Sequence, residues 1–238
     1  MRLDKFVSHA LGKTRSEARD IIKQGLITVN QTIMRKNDWT VDEYHDAILF
    51  QDKPILFKNY LYLMLNKPMG YLSATKDAKY PTVIDLIKEY QNYDLFMAGR
   101  LDLDSEGLMI ITNDGKFAHG LTSPRHQVPK KYYVKADEAF SEADVLAFQE
   151  GLFIYDGHQK RFKTQPAVLE IISSQEAFVT IFEGKYHQVK KMCMKVGKNV
   201  TYLKRLAMGE LELDPNLKTG EYRLLSVEEI DHLKETVK

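Results

Sequence analysis

The sequence predicts an α+β fold in two parts: a small N-terminal α/β module over 1–58, then a larger domain over 59–238 on a mixed, largely antiparallel sheet. Three observations predict it. Short apolar runs bounded by turn residues alternate irregularly with amphipathic stripes, without the steady βαβ rhythm of a parallel sheet. Residues 37–58 turn acidic (Asp38, Asp42, Glu43, Asp46, Asp52) and include Pro54, which places a linker near 54–60. The chain has 238 residues, 44% hydrophobic and 28% charged, which suits a small domain plus a medium one and excludes a disordered chain.

In the module, Thr14-Arg15-Ser16-Glu17 reads as a capping box, with Thr14 accepting from the Glu17 amide and the Glu17 carboxylate reaching back. Ala18, Ile21 and Ile22 supply the apolar stripe of the helix it opens, and Gly25 ends that helix. Arg15, Arg19 and Lys23 recur every fourth residue as a cationic row on its other side. Ile27–Val29 and Thr32–Met34 flank Asn30-Gln31 as a hairpin, followed at once by Arg35 and Lys36.

Beyond the linker, Tyr60–Leu65 reads as a buried strand closed by Asn66-Lys67-Pro68-Met69-Gly70. Pro81–Tyr90 reads as a helix with proline in its first turn. Leu108–Thr112 is a buried strand stopped by Asn113-Asp114-Gly115, and Tyr132–Ala136 another strand. Ser141–Glu150 is a helix ended by Gly151; Val168–Ile172 and Phe178–Phe182 pair as strands. His187–Val196 is a helix whose Val189, Met192, Cys193 and Val196 share one face. Val200–Leu206 and Tyr222–Leu225 are strands, and Ser226-Val227-Glu228-Glu229 caps a last helix.

No apolar run approaches the ~18 residues of a membrane helix, and the N-terminus is charged from Arg2 onward. A soluble cytosolic protein is expected, with no membrane partner. The single cysteine, Cys193, excludes a disulfide framework and a multi-cysteine metal knuckle. Net charge is +1, yet three segments (1–36, 116–135 and 183–206) together carry +16 and the remainder −15. Such segregation fits either chance clustering on solvated faces or a polyanion footprint.

Three segments could carry chemistry. Gly99-Arg100-Leu101-Asp102-Leu103-Asp104-Ser105-Glu106-Gly107 spaces three acids two residues apart between glycines. A calcium loop fails because Asn113 stands where the closing glutamate belongs. A polar turn and a catalytic carboxylate on a rigidly held loop remain. Glu183 to Met192 delivers a glycine turn into a helix bearing Lys190 and Lys191. His187 there could be a base or a ligand, although a histidine at a helix start is more often a plain hydrogen-bonding residue. Ser123 to Val134 is basic, then aromatic; Tyr132 and Tyr133 must face opposite sides of a strand, so one can be core while the other offers a ring to a base.

Together these segments resemble the pseudouridine synthases of the RsuA type, along nearly the whole chain. Gly99-Arg100-Leu101-Asp102 with Ser105, Gly107 and Leu108 is similar to that family's catalytic motif. Lys130-x-Tyr132-x-Val134 is similar to its tyrosine motif, and Glu183-Gly184-x-x-His187-Gln188-Val189-Lys190-Lys191-Met192 to its third. Arg2 to Phe6 with Arg15 to Arg19 resembles the small RNA-binding domain named after ribosomal protein S-four.

The resemblance implies an enzyme that detaches a uracil in ribosomal RNA from its ribose and rejoins it through C5, without cofactor or metal. It implies Asp102 as nucleophile or as base of a glycal route, and Tyr132 stacking on the uracil and assisting deprotonation at C5. Lys190 would be the cation paired with Asp102, lowering the carboxylate's pKa, and Arg100 would help displace the base. Arg15, Arg19, Lys23, Arg125, Lys130 and Lys191 would hold RNA. Tyr186-His187 and Thr122-Ser123-Pro124-Arg125-His126 resemble the small-subunit branch rather than the large-subunit one. Two residues depart from the pattern: Lys190 where many relatives carry arginine, and Gln31 where the module often has glycine. The competing readings are a large-subunit substrate, a non-catalytic RNA-binding or assembly protein on this scaffold, and a nuclease holding magnesium on Asp102, Asp104 and Glu106.

Overall fold

The computed structural model describes every residue except Tyr44, Leu56, Lys58, Gln91, Asn92 and Lys238, and the chain divides into two units, Met1–Tyr60 and Leu61–Lys238.

In the first unit, α1 (Leu3–Ala10) precedes α2 (Arg15–Lys23), which opens on the Thr14–Glu17 capping box. A four-stranded antiparallel sheet follows in the order β2-β1-β3-β4, from β1 (Ile27–Val29), β2 (Thr32–Met34), β3 (Ile48–Phe50) and β4 (Lys53–Pro54). Asn30 and Gln31 adopt φ of 49° and 68°, both left-handed, as a two-residue hairpin with the strands' twist requires. The turn therefore forms without glycine. Pro54 pairs with Leu49 inside this sheet, so it belongs to the module and not to a linker; Leu56 and Lys58 of the expected linker lie outside the described residues.

The module's two helices meet over one carboxylate. Asp4 is 0% exposed and accepts hydrogen bonds from Arg2 (3.0 and 3.1 Å), Arg15 (3.2 Å) and Arg19 (3.2 Å). Burial by itself would raise the Asp4 carboxyl, but the three guanidinium groups outweigh it and hold the group well below the ordinary range. Two of the three expected row residues, Arg15 and Arg19, are thus also structural.

The second unit begins with β5 (Tyr62–Lys67). A short 3₁₀ turn (Val83–Leu86) and β6 (Phe96–Ala98) lead to β7 (Glu106–Thr112) and α3 (Gly115–Thr122). Then come β8 (Lys130–Ala136), α4 (Glu142–Glu150), and the hairpin of β9 (Phe153–Tyr155) and β10 (Arg161–Lys163). The rest is β11 (Val168–Ser173), β12 (Glu176–Ile181), α5 (Gln188–Lys195), β13 (Val200–Met208), β14 (Leu211–Glu212), β15 (Tyr222–Leu224) and α6 (Val227–Thr236). Nine strands form one sheet, ordered β11-β12-β8-β13-β7-β5-β15, with β14 beside β13 and β6 beside β7. Among the described residues β13 and β7 are its one parallel pair.

Both faces of this sheet are covered at β5 and β7, which is why those strands read as unbroken apolar runs. Alternation sorts their side chains. Leu63, Leu65, Met109 and Ile111 pack on one face with residues of α4 and α5; Tyr62, Met64, Leu108 and Ile110 pack on the other with residues of α3 and α6.

Two expectations are corrected. β5 runs on through Asn66 and Lys67, both buried, rather than turning at Asn66. The helix expected over Pro81–Tyr90 shrinks to the turn Val83–Leu86. Pro81 and Val83 are hydrogen-bonded to Leu72 in an extended bridge, Asp85 reaches back to Thr82, and Ile87 already leaves helical geometry.

The parallel seam depends on Gly107. Its φ is +104°, and a Cβ there would stand 2.2 Å from the Arg205 carbonyl oxygen and 2.7 Å from its nitrogen, both backbone atoms. Gly107→Ala should therefore destabilise the protein by ~3 kcal/mol or more, read as a lower urea midpoint by circular dichroism; an unchanged midpoint would sink this account.

Candidate active site

The loop between β6 and β7 carries Asp102, and the end of β5 holds that loop. Lys67, wholly buried, donates from Nζ to three carbonyls: Pro68 (3.0 Å), Asp102 (3.0 Å) and Ser105 (2.8 Å). Three carbonyls suit the three N–H donors of an ammonium. The Ser73 hydroxyl donates to the Leu101 carbonyl (2.6 Å) and accepts from its amide (3.1 Å), while the Gly70 amide donates to the Leu103 carbonyl (2.8 Å). The Asp102 backbone is thereby fixed on both sides of its side chain.

A second loop, between β12 and α5, brings the cations. Buried Glu183 accepts from the Gln165 amide and the Gln188 side chain, both at 2.9 Å, and Gln188 accepts from the Lys185 amide at 3.0 Å. This knot sends His187 into the left-handed region at φ 53° just before α5. His187 Nε2 lies 3.2 Å from Asp102 Oδ1, and Lys190 Nζ lies 3.2 Å from Asp102 Oδ2 and also meets Asp104. Each Asp102 oxygen therefore faces its own nitrogen. Tyr186, 58% exposed, stacks on the His187 ring at 3.8 Å between centroids. Burial pushes the Asp104 carboxyl up, but the hydrogen bond and charge of Lys190 bring it below its ordinary value.

The pocket between these loops has a volume of about 120 Å³. Asp102, Tyr132, Lys130 and Arg205 line it, with Arg100 beside them. Tyr132 is buried on the pocket face of β8, while Tyr133 turns to the opposite face against Phe178 and Tyr202. A carboxylate held by two nitrogen groups beside an aromatic ring can act as a nucleophile or a base on a planar substrate. The loop's acids do not converge: Asp102 and Asp104 share Lys190, whereas Glu106 accepts from the Tyr202 hydroxyl (2.6 Å).

Arg100 and Arg125 are exposed, and Lys23 is exposed beside Arg35, which donates to its carbonyl. Lys130, expected to hold RNA, is buried inside the pocket, where burial and the Arg205 charge bring its ammonium down to about 8. Lys191 points away from Lys190 and donates to the Tyr155 (2.8 Å) and Asp156 (3.3 Å) carbonyls of the β9–β10 hairpin. Lys67 and Arg205 were not singled out in sequence, nor was the contact between His187 and Asp102. The sole signal for Lys67 was a lysine closing an otherwise apolar strand before proline.

The fold and this site together define an RNA-modifying class. The chain belongs to the RNA pseudouridylate synthase family, whose model matches residues 61–195; the S4 domain model matches residues 1–44. It is 40% identical to the RNA pseudouridine synthase YtzG of Bacillus subtilis over 99% of both chains. It is 39% identical to the ribosomal small subunit pseudouridine synthase A of Escherichia coli over 97% of this chain and 98% of that one. A crystal structure of a pseudouridylate synthase superposes with a TM-score of 0.69 at 37% identity, covering 98% of this chain and 99% of the other. Among the described residues no helix is long and apolar enough to cross a membrane.

Burial lowers the Lys67 ammonium to about 8 from 10.5, although Asp102, Asp104 and Glu106 favour its charge. Between those values the unfolded chain binds more protons, so stability rises with pH. The unfolding free energy of wild type should therefore gain on that of Lys67→Met between pH 8 and 10.5. At neutral pH the variant should turn over at least ~10-fold more slowly, because carbonyls of the Asp102 loop lose their donor. Denaturation at several pH values and steady-state kinetics check the two parts.

Proposed function

We propose that this enzyme converts one uridine of small-subunit ribosomal RNA to pseudouridine, with Asp102, Tyr132 and Lys190 as its catalytic residues. The observation that carries the substrate is the near full-length, 39% identity to the small-subunit synthase of Escherichia coli. The pocket geometry supports the residue roles.

A uridine within folded RNA must leave its stack to reach Asp102. Tyr132, on the pocket wall, then offers a ring in place of lost neighbours, a contact of ~1–3 kcal/mol. Lys190 and His187 each hold one carboxylate oxygen and so aim the group. Asp102 then either bonds to C1′ as the C1′–N1 bond breaks or takes the C2′ proton in a glycal route. The freed uracil turns and its C5 bonds to C1′ as the Asp102–C1′ bond breaks or, in the glycal route, as C2′ takes its proton back; C5 then gives up its proton and N1 gains one. The module, taken as 1–58, holds RNA with Arg15, Arg19 and Lys23, and the catalytic domain, 59–238, adds Arg100, Arg125 and Lys191. Contacts of these cations with phosphates supply affinity without sequence information. The site of action is the cytoplasm, on RNA or an assembling particle.

Tritium release from small-subunit RNA labelled at uridine C5, with EDTA present, tests the reading. Wild type should release tritium, and Asp102→Asn should lower the rate by at least ~10³-fold. Release from large-subunit RNA alone would overturn the substrate assignment. Tight RNA binding without release from either RNA would favour the non-catalytic alternative.

A further inference from the structure

The pocket wall holds two cations that no carboxylate neutralises. Lys130 on β8 is 8% exposed and Arg205 on β13 is 2% exposed. Arg205 lies opposite Tyr132 across the strand pair, and Lys130 is two residues before Tyr132 on the same face, so the pair flanks the tyrosine. Among the described residues neither joins an ion pair. Arg205 Nε donates to the Leu108 carbonyl (2.7 Å), but its Nη2 is buried with no hydrogen-bond partner. Lys130 Nζ donates to the Val128 carbonyl (2.7 Å), which occupies one of its three N–H groups.

Two buried, mutually repelling cations with unused donors are costly unless an anion or a strong acceptor completes them. The group that completes them must reach the interior. The phosphodiester of a flipped nucleotide stays tied to its strand at the mouth, where exposed Arg100 sits. The base is what enters a cavity of about 120 Å³.

We propose that Lys130 and Arg205 form the subsite that binds the carbonyl edge of the uracil and stabilises the negative charge that gathers on it during the reaction. This rests on the uridine-isomerising reading. When the C1′–N1 bond breaks, its electron pair goes to N1 and spreads through the ring to O2 and O4. C1′ is meanwhile taken by an Asp102 oxygen or relieved by loss of the C2′ proton. Bonding of C5 to C1′ consumes the ring charge as the Asp102–C1′ bond breaks or, in the glycal route, as C2′ takes its proton back; C5 then loses its proton as N1 gains one. A neutral uracil meets the cations weakly and a uracil anion meets them strongly, so the interaction acts on the rate and not on RNA affinity.

The test is single-turnover tritium release from the C5-labelled ribosomal RNA on which wild type is active. Lys130→Gln should slow release by ~10²-fold, while the RNA concentration giving half the maximal rate moves less than ~2-fold. Lys130→Arg, which keeps the charge, should recover most of that loss. Arg205→Lys should show the same split between rate and half-saturation, with thermal melting confirming that each variant is folded. An unchanged Lys130→Gln rate overturns the inference. So does a loss that appears as weaker RNA half-saturation, which marks a phosphate contact, or a loss that Lys130→Arg does not repair. Wild type silent on every ribosomal RNA would instead overturn the parent reading.

Discussion

Two antiparallel halves of the catalytic sheet meet along one parallel seam, and the seam exists because Gly107 has no side chain. β13 closes the half formed with β8, β12 and β11; β7 closes the half formed with β5, β6 and β15. The backbone of Arg205 fills the space a Cβ on Gly107 would need. Most of the pocket follows from that approach. The Asp102 loop enters β7 at the seam, Arg205 reaches across it to the Leu108 carbonyl, and Tyr132 is the cross-strand neighbour of Arg205. A wider seam would separate the carboxylate from the strand that carries Tyr132.

Charge is arranged around that seam in layers. Lys67 lies beneath the loop and spends its hydrogen bonds on backbone carbonyls, so it fixes position rather than competing for the Asp102 side chain. Lys190 and His187 take the carboxylate oxygens from the other loop. Lys130 and Arg205 remain on the wall. The same residue type thus performs three different tasks within one site, and burial with hydrogen-bond partners, not residue identity, separates them. Lys191 adds a fourth, tying α5 to the β9–β10 hairpin.

What the sequence made legible was local. The capping boxes at Thr14 and Ser226 lie in neighbouring residues and were readable as such. So were the apolar runs of β5 and β7, because both faces of the sheet are covered at those two strands. α1 was invisible by those rules: Arg2 offers no side-chain cap, and the helix is held by the Asp4 cluster instead. The helix read over 81–90 failed because a long-range bridge to Leu72 holds its first residues extended. In the site, Asp102, Tyr132 and Lys190 stood out through spaced motifs. Lys67 and Arg205 did not, since their partners are carbonyls far away in sequence. Lys130 looked like a surface cation because nothing local marks a lysine as buried.

The Asp4 cluster also bears on how the module meets a polyanion. Arg2, Arg15 and Arg19 have roughly half of their side chains open to solvent, yet each is anchored to one buried carboxylate. Free arginines lose rotamer freedom when they dock, at ~0.5–1.5 kcal/mol for each immobilised side chain. Here much of that ordering has already happened during folding. The guanidinium groups form a preset array whose spacing is dictated by Asp4, so association on this face should be less entropically opposed than for a row of unanchored cations.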